Sequence, residues 1–219
     1  MRMVPNALNR AAFFARLRQK PFRGRLTQRQ VEGLKAILDG WRERTGDDGA
    51  NTGRRELAYV LATAFHETAA TMQPVRETLA RTDAEAIRRL DAAFSAGLLQ
   101  AVKTPYWRRD QEGKTWLGRG LVQLTHRRNY EILSQVTGVD LVADPGRALD
   151  MKVSVAILID GMRRGSFTGH RLDDYFGPDR EDWVGARKII NGKDRAEMVA
   201  GHAREFARAL GLGSAGEIC

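Results

Sequence analysis

Two glutamates stand close enough in the chain to work together and are separated in a way that lets them do different jobs. Glu67 ends the run Ala64-Phe65-His66-Glu67, behind an apolar helical face of Tyr59, Val60, Ala64 and Phe65, so it falls at the edge of a core. Glu77 follows ten residues later, beyond Pro74, whose ring and missing N–H stop a helix from continuing. The break releases the pair from a common helix face, and the intervening turn can bring the second carboxylate back across a cleft. Glycoside hydrolysis needs two carboxyl groups in unlike surroundings: an acid kept protonated in an apolar niche, and a base left ionised to activate water. The plainer alternative makes both of them solvated glutamates at helix ends.

A metal is the next possibility to weigh. His66-Glu67 begins like a zinc-protease helix, but a second histidine is required four residues after the first, and that position is Ala70. His126, His170 and His202 have no tight ligand spacing, and the single cysteine is Cys219, so neither an intrachain disulfide nor a cysteine cluster can form. No metal and no cofactor are expected.

Gly118-Arg119-Gly120-Leu121-Val122-Gln123-Leu124-Thr125-His126, followed by Asn129-Tyr130, contains no phosphate-binding glycine pattern. Its alternation of Leu121, Gln123 and Thr125 predicts an extended stretch with polar side chains along one face, suited to a sugar or a positioned water. A half-buried strand with a polar outer face is the competing account. Further on, Ile189-Ile190-Asn191-Gly192 reads as a turn. Trp107, Trp116 and Trp183 lie among arginines and glycines, a setting that suits stacking on pyranose rings as well as core packing.

The elements that must position these residues are mostly helical. Leu8, Ala11, Phe14 and Leu17 mark a helix over Asn6 to Gln19. Thr27 with Gln30 forms a capping box ahead of the stripe Val31, Leu34, Leu38, Trp41. Thr45 to Gly53 is a turn-rich loop. Further helices are predicted over Arg54 to Ala70, over Asp83 to Leu99 with Thr82 or Asp83 as cap, from Asn129 to Val136 with a stop at Gly138, and from Asp144-Pro145 through Met162. A last helix carries Val199, Ala203, Phe206 and Leu210, capped by Asp194 with Glu197. Lys103 to Gly118 loses the helical period and suits a short hairpin or shaped loop, and Gly165 to Gly177 reads as loop. One mainly α domain spanning 1–219, with a small β or loop wing beside a cleft, is the economical architecture, the first 50 residues packing on it as a helical segment.

The string AFHET, then GRGLVQLTHRRNY, then IING resemble, in the same order, the motifs of glycoside hydrolase family 19, which contains plant-type chitinases and many phage endolysins on a lysozyme-like, α-rich fold. The resemblance spans about Leu57 to Leu210; residues 54–210 would be the catalytic region. By position it implies Glu67 as general acid and Glu77 as general base. It implies Gln123 and Thr125 as a polar pair for sugar and nucleophilic water, with Asn129 and Asn191 as the motif asparagines. His66 and Trp107 join them as candidate substrate contacts. Family members carry an arginine in the last helix that orients the carboxylates; here that position is His202, with Arg204 nearby. The family inverts the anomeric centre, which implies well-separated carboxyls with water between them.

With 36 Lys and Arg against 27 Asp and Glu the chain carries a net charge of +9 over 219 residues, which favours a polyanionic partner. No apolar run approaches the roughly 18 residues needed to span a membrane, and Asn6, Asn9 and Arg10 interrupt any signal-peptide core. The resemblance and the charge together imply a monomeric endolysin. It would be made in the bacterial host cytoplasm without a signal peptide and reach peptidoglycan through a separate pore, without stable membrane insertion, to cut β-1,4 bonds between N-acetylmuramic acid and N-acetylglucosamine. A chitinase is the alternative within the family. A basic nucleic-acid-binding protein is the alternative outside it, disfavoured because the charges look scattered and no nucleic-acid signature appears. An inactive sugar-binding relative is disfavoured by the intact glutamates.

Overall fold

The computed structural model describes residues 8–46 and 50–213; the predicted helix start at Asn6, the middle of the Thr45–Gly53 loop and Cys219 lie outside them. The chain is mainly α, with two-stranded sheets as its only β structure among the described residues. Helix α1 (Arg10–Gln19) starts where the Asn9 side chain accepts the Ala12 N–H at 3.0 Å. It buries Phe13 and Leu17 rather than Phe14, so the apolar stripe is turned by one residue. Helix α2 (Gln28–Thr45) has the predicted capping box: the Gln30 N–H donates to Thr27 Oγ1 and the Thr27 N–H to Gln30 Oε1.

Helix α3 (Asn51–Glu67) buries every residue from Leu57 to Ala64. It ends at Glu67, three residues before the predicted limit, because Ala69 and Ala70 turn to φ of 48° and 65° and the Ala70 N–H reaches back to the Phe65 carbonyl at 2.7 Å. The loop that follows is pressed onto α2. A Cβ on Gly33 would come within 1.8 Å of the Met72 carbonyl oxygen, so only glycine admits this approach.

The remaining helices are α4 (Asp83–Ser95), α5 (Arg127–Thr137), α6 (Met151–Arg164), α7 (Lys188–Asn191) and α8 (Ala196–Ala209). Helix α8 lies along α3, α1 on α8, and α2 and α5 flank α6. One large apolar cluster joins them, reaching from Phe13 through the α3 and α6 centres to Leu210. A smaller cluster of Ala80, Ala86, Leu90, Trp107 and Leu117 forms the core of a wing made by α4 and the segment up to residue 118. Strands β1 (Val75–Arg76) and β2 (Arg119–Gly120) pair antiparallel and tie the wing to the body; β3 (Phe176–Gly177) and β4 (Arg180–Glu181) make a hairpin within the stretch expected to be loop.

Two further expectations differ from the structure. Leu121 to Thr125 is no extended strand. Arg119 and Leu124 exchange both backbone hydrogen bonds, at 3.2 and 2.9 Å, around a tight turn in which Gln123 has φ of 52°. Leu121 is fully buried, with its N–H on the Ser154 hydroxyl, a tertiary contact that overrides the alternating pattern. Asp194 does not cap α8 either: the N-cap is Arg195, in a left-handed conformation and without a side-chain cap.

Candidate active site

Glu67 is the last residue of α3, where a carboxylate meets the negative end of the helix dipole. A compensating cation comes from the 120-residue-distant turn before α7. Arg187 Nη1 donates to Glu67 Oε1 at 2.8 Å, and its Nε donates to the Asp194 carbonyl at 3.0 Å. The guanidinium is almost wholly buried and the Glu67 side chain only 16% exposed, so the pair is anchored. The niche of Glu67 is therefore not purely apolar, as its sequence neighbours suggested. His66 is half-buried beside it, and burial, which penalises the imidazolium, holds its pKa below the ordinary histidine value despite the attraction of Glu67.

Glu77 follows β1 directly and is bound twice to Gly118. The Glu77 N–H donates to the Gly118 carbonyl at 2.7 Å, and the Gly118 N–H returns a bond to Glu77 Oε2 at 2.7 Å. The other oxygen, Oε1, accepts from the Tyr106 hydroxyl at 2.7 Å. Both oxygens thus receive donors, an arrangement that fixes the plane of the carboxyl group. Burial, with Glu77 adding to it, pushes the Tyr106 hydroxyl well above the ordinary tyrosine range, so it stays a donor. Gln123 meets Glu77 at the same glycine: a Cβ on Gly118 would lie 2.9 Å from Gln123 Oε1 and 3.3 Å from Glu77 Oε2. Gln123 Nε2 itself donates to the carbonyls of Val75 and Gly120 at 3.0 and 3.2 Å.

An ionic cluster built on one buried arginine supports this half of the site. Asp83, at the start of α4, accepts Arg76 Nε on one oxygen and Arg119 Nη2 on the other, both at 2.7 Å. Arg119 is buried and also donates to the Tyr130 hydroxyl at 2.9 Å. The cluster therefore locks the β1–β2 register immediately beside Glu77. Burial would raise the Asp83 pKa, but the hydrogen bonds from Arg76 and Arg119 outweigh it and hold the carboxyl below its ordinary value.

The remaining candidates are distributed as follows. Thr125 is half-buried, and its carbonyl accepts Asn129 Nδ2 at 2.9 Å, so Asn129 braces the start of α5. Asn191 closes α7, four residues after Arg187, and is exposed. Trp107 does not face solvent: it is fully buried, packs edge-on against Phe94 and Tyr106, and donates its indole N–H to Asp91 at 3.0 Å. Its neighbour Tyr106 is the aromatic residue at the carboxylate, with its ring 4.4 Å from that of His126. His202 packs on Phe65, and Arg204 lines a hollow with Arg55 and Trp183; the arginine on Glu67 is Arg187. Tyr106 and Arg187 are the two residues that the motifs did not single out. Among the described residues no group of His, Cys, Asp and Glu is arranged to hold a metal ion.

Nine non-glycine residues among those described have positive φ, and eight of them flank these groups. Ala69, Ala70 and Met72 follow Glu67, Thr78 and Leu79 follow Glu77, Gln123 and His126 line the turn, and Arg195 adjoins Asp194. Each such conformation costs on the order of 1 kcal/mol or more, and their concentration is a mark of functional backbone.

Comparison with curated proteins and with solved structures gives no match. The family model described as chitinase class I, of glycoside hydrolase family 19, matches residues 40–159, more than half of the chain. That stretch holds Glu67, Glu77, Tyr106 and the Gln123 turn, while Arg187 and Asn191 lie beyond it. With its α-rich fold, its two separately braced carboxyl groups and this match, the chain belongs to glycoside hydrolase family 19.

Proposed function

We propose that the protein is an endolysin-type peptidoglycan glycosidase, cutting the β-1,4 bond between N-acetylmuramic acid and N-acetylglucosamine with inversion. The observation that carries the mechanism is that Glu67 and Glu77 are held by separate donor sets, Arg187 on one side and Tyr106 with the Gly118 amide on the other. Glu67 protonates the leaving glycosidic oxygen as the C–O bond breaks. Glu77 takes a proton from the water that attacks the anomeric carbon from the opposite face, so one carboxyl loses the proton that the other gains. The +9 charge supports an anionic wall over neutral chitin as substrate. In this reading the protein works as a monomer and reaches the wall through a pore made by another protein.

Chitin hydrolysis is the second reading, favoured by the description of the family model. Mass spectrometry of digested sacculi, with chitin oligomers digested in parallel, separates the two. Muropeptides ending in a reducing amino sugar support the wall enzyme and identify the bond. Intact sacculi beside shortened chitin oligomers would overturn it.

A further inference from the structure

The surplus of positive charge is concentrated, not scattered. Eight of the 36 Lys and Arg and none of the 27 Asp and Glu fall within the first 31 residues, which leaves 28 cations against 27 acids, near +1, for the rest of the chain. In the described part of that segment Arg16, Arg18, Lys20, Arg23, Arg25 and Arg29 are all exposed. Arg16 donates to the Arg208 carbonyl at 2.8 Å, but among the described residues none of the six is in an ion pair. Elsewhere Arg76, Arg89, Arg108, Arg127 and Arg147 each sit on a carboxylate. A patch of unpaired cations repels itself and is relieved when a polyanion supplies the missing charge.

The segment is also bonded to the loop that joins the two catalytic candidates. Phe22, within the cationic turn, packs edge-on against Phe65 at 5.2 Å, two residues before Glu67. The Arg29 carbonyl accepts Gln73 Nε2 at 2.6 Å, and Gln30 Nε2 donates to the Ala70 carbonyl at 2.9 Å. Phe13, Leu17 and Phe22 are all buried, so α1 has no apolar face left to lie in a lipid interface.

We propose that the segment from Arg16 to Arg29 is a docking surface for the carboxylate-bearing peptide stems of the wall polymer, holding the strand beside the site that cuts it. The proposal rests on peptidoglycan being the substrate. A nucleic acid is the other polyanion to consider; the wall is favoured because this segment is bonded to the Ala70–Gln73 loop that links Glu67 to Glu77.

The test uses the full chain with Arg18→Gln, Lys20→Gln, Arg23→Gln and Arg25→Gln combined, beside a control with Arg128→Gln, Lys152→Gln, Arg163→Gln and Arg164→Gln. Sedimentation with purified sacculi at about 0.1 M salt should show binding weakened by roughly tenfold or more in the first variant, with a flatter salt dependence, and nearly unchanged in the control. Sacculi whose stem carboxylates have been amidated should bind the wild type as poorly as native sacculi bind the variant. Cleavage of short glycan fragments without stems should stay within about twofold, because none of the four residues belongs to the catalytic groups. Equal losses in both variants, unchanged binding in the first, or a loss confined to duplex DNA would each overturn the docking surface. Sacculi cut normally but bound independently of the segment would overturn it alone. Sacculi bound through the segment yet left uncut by the wild type would instead overturn the substrate assignment.

Discussion

Glu67→Gln leaves an amide oxygen for Arg187 to bond but removes the proton that the leaving alkoxide needs. Turnover on sacculi should fall by about 10²–10⁴, and the melting temperature should also drop, since a buried guanidinium loses its counter-charge at a cost of about 3–5 kcal/mol. Tyr106→Phe removes one of the two donors that aim Glu77. It should lower kcat by about tenfold with little change in KM, and combined with Glu77→Gln it should add almost nothing, because both act on one carboxylate. Gln123 and Asn191 should separate in the same assays. Gln123→Ala strips a donor from the Val75 and Gly120 carbonyls and should cost about 1–3 kcal/mol. Exposed Asn191→Ala should leave the melting temperature almost unmoved, so any lost turnover there reports a substrate contact. Glu67 and Gln123 could be singled out because each sits in a short motif, and Glu77 because it follows ten residues later, beyond the break at Pro74. Arg187 was one cation among many, four residues from a motif asparagine, and no local pattern could say that its guanidinium crosses to α3. Trp107 was singled out for a sugar contact, yet the aromatic residue on the carboxylate is its neighbour Tyr106; a one-residue shift in an unpatterned loop decides which ring is core.

At the scale of elements, the caps and stops were the readable part. Thr27 with Gln30, Thr82 before α4, and Gly138 after α5 act through neighbours within a few residues, so the sequence carries them locally. The turn around Gln123 was hidden because Leu121, Gln123 and Thr125 keep a strand's period while Ser154 and the Arg119–Leu124 pair, both products of the fold, set the path. The β1–β2 junction depends on Asp83 in the same non-local way, and this gives it a pH signature. A carboxyl with a depressed folded pKa contributes stability above its unfolded pKa, near 4, and loses it as pH falls through the folded value. Wild-type melting temperature should therefore fall below about pH 4. Asp83→Asn should be destabilised at neutral pH, where buried Arg119 has lost its charge partner, and should show a shallower acid decline. Thermal melts across pH 2.5 to 7 decide the matter, and equal slopes for the two proteins would remove Asp83 from the account.

Across the whole molecule, the two apolar clusters differ greatly in size, and the wing's small core is joined to the body by β1–β2 and the Asp83 cluster. Hydrogen exchange should accordingly release the amides of α4 well before those at the centres of α3, α6 and α8; uniform protection would mean that wing and body open together. The mainly α architecture was legible from helical periodicity and a small wing from the loss of that period after Lys103, but that α4 belongs to the wing was not, since it depends on which loop residues bury Trp107 and Leu117. The left-handed residues gathered around the two carboxyl groups carry a consequence for how such a chain can change. Replacing them with glycine, or rerouting the turns, is the most direct route to a sturdier protein, yet those turns also aim the acids. Heat resistance and the alignment of the acids therefore pull against each other at Ala69, Ala70, Thr78 and Leu79. Variants selected for heat resistance with catalysis kept should carry their changes elsewhere, on surfaces such as the one bearing exposed Leu98.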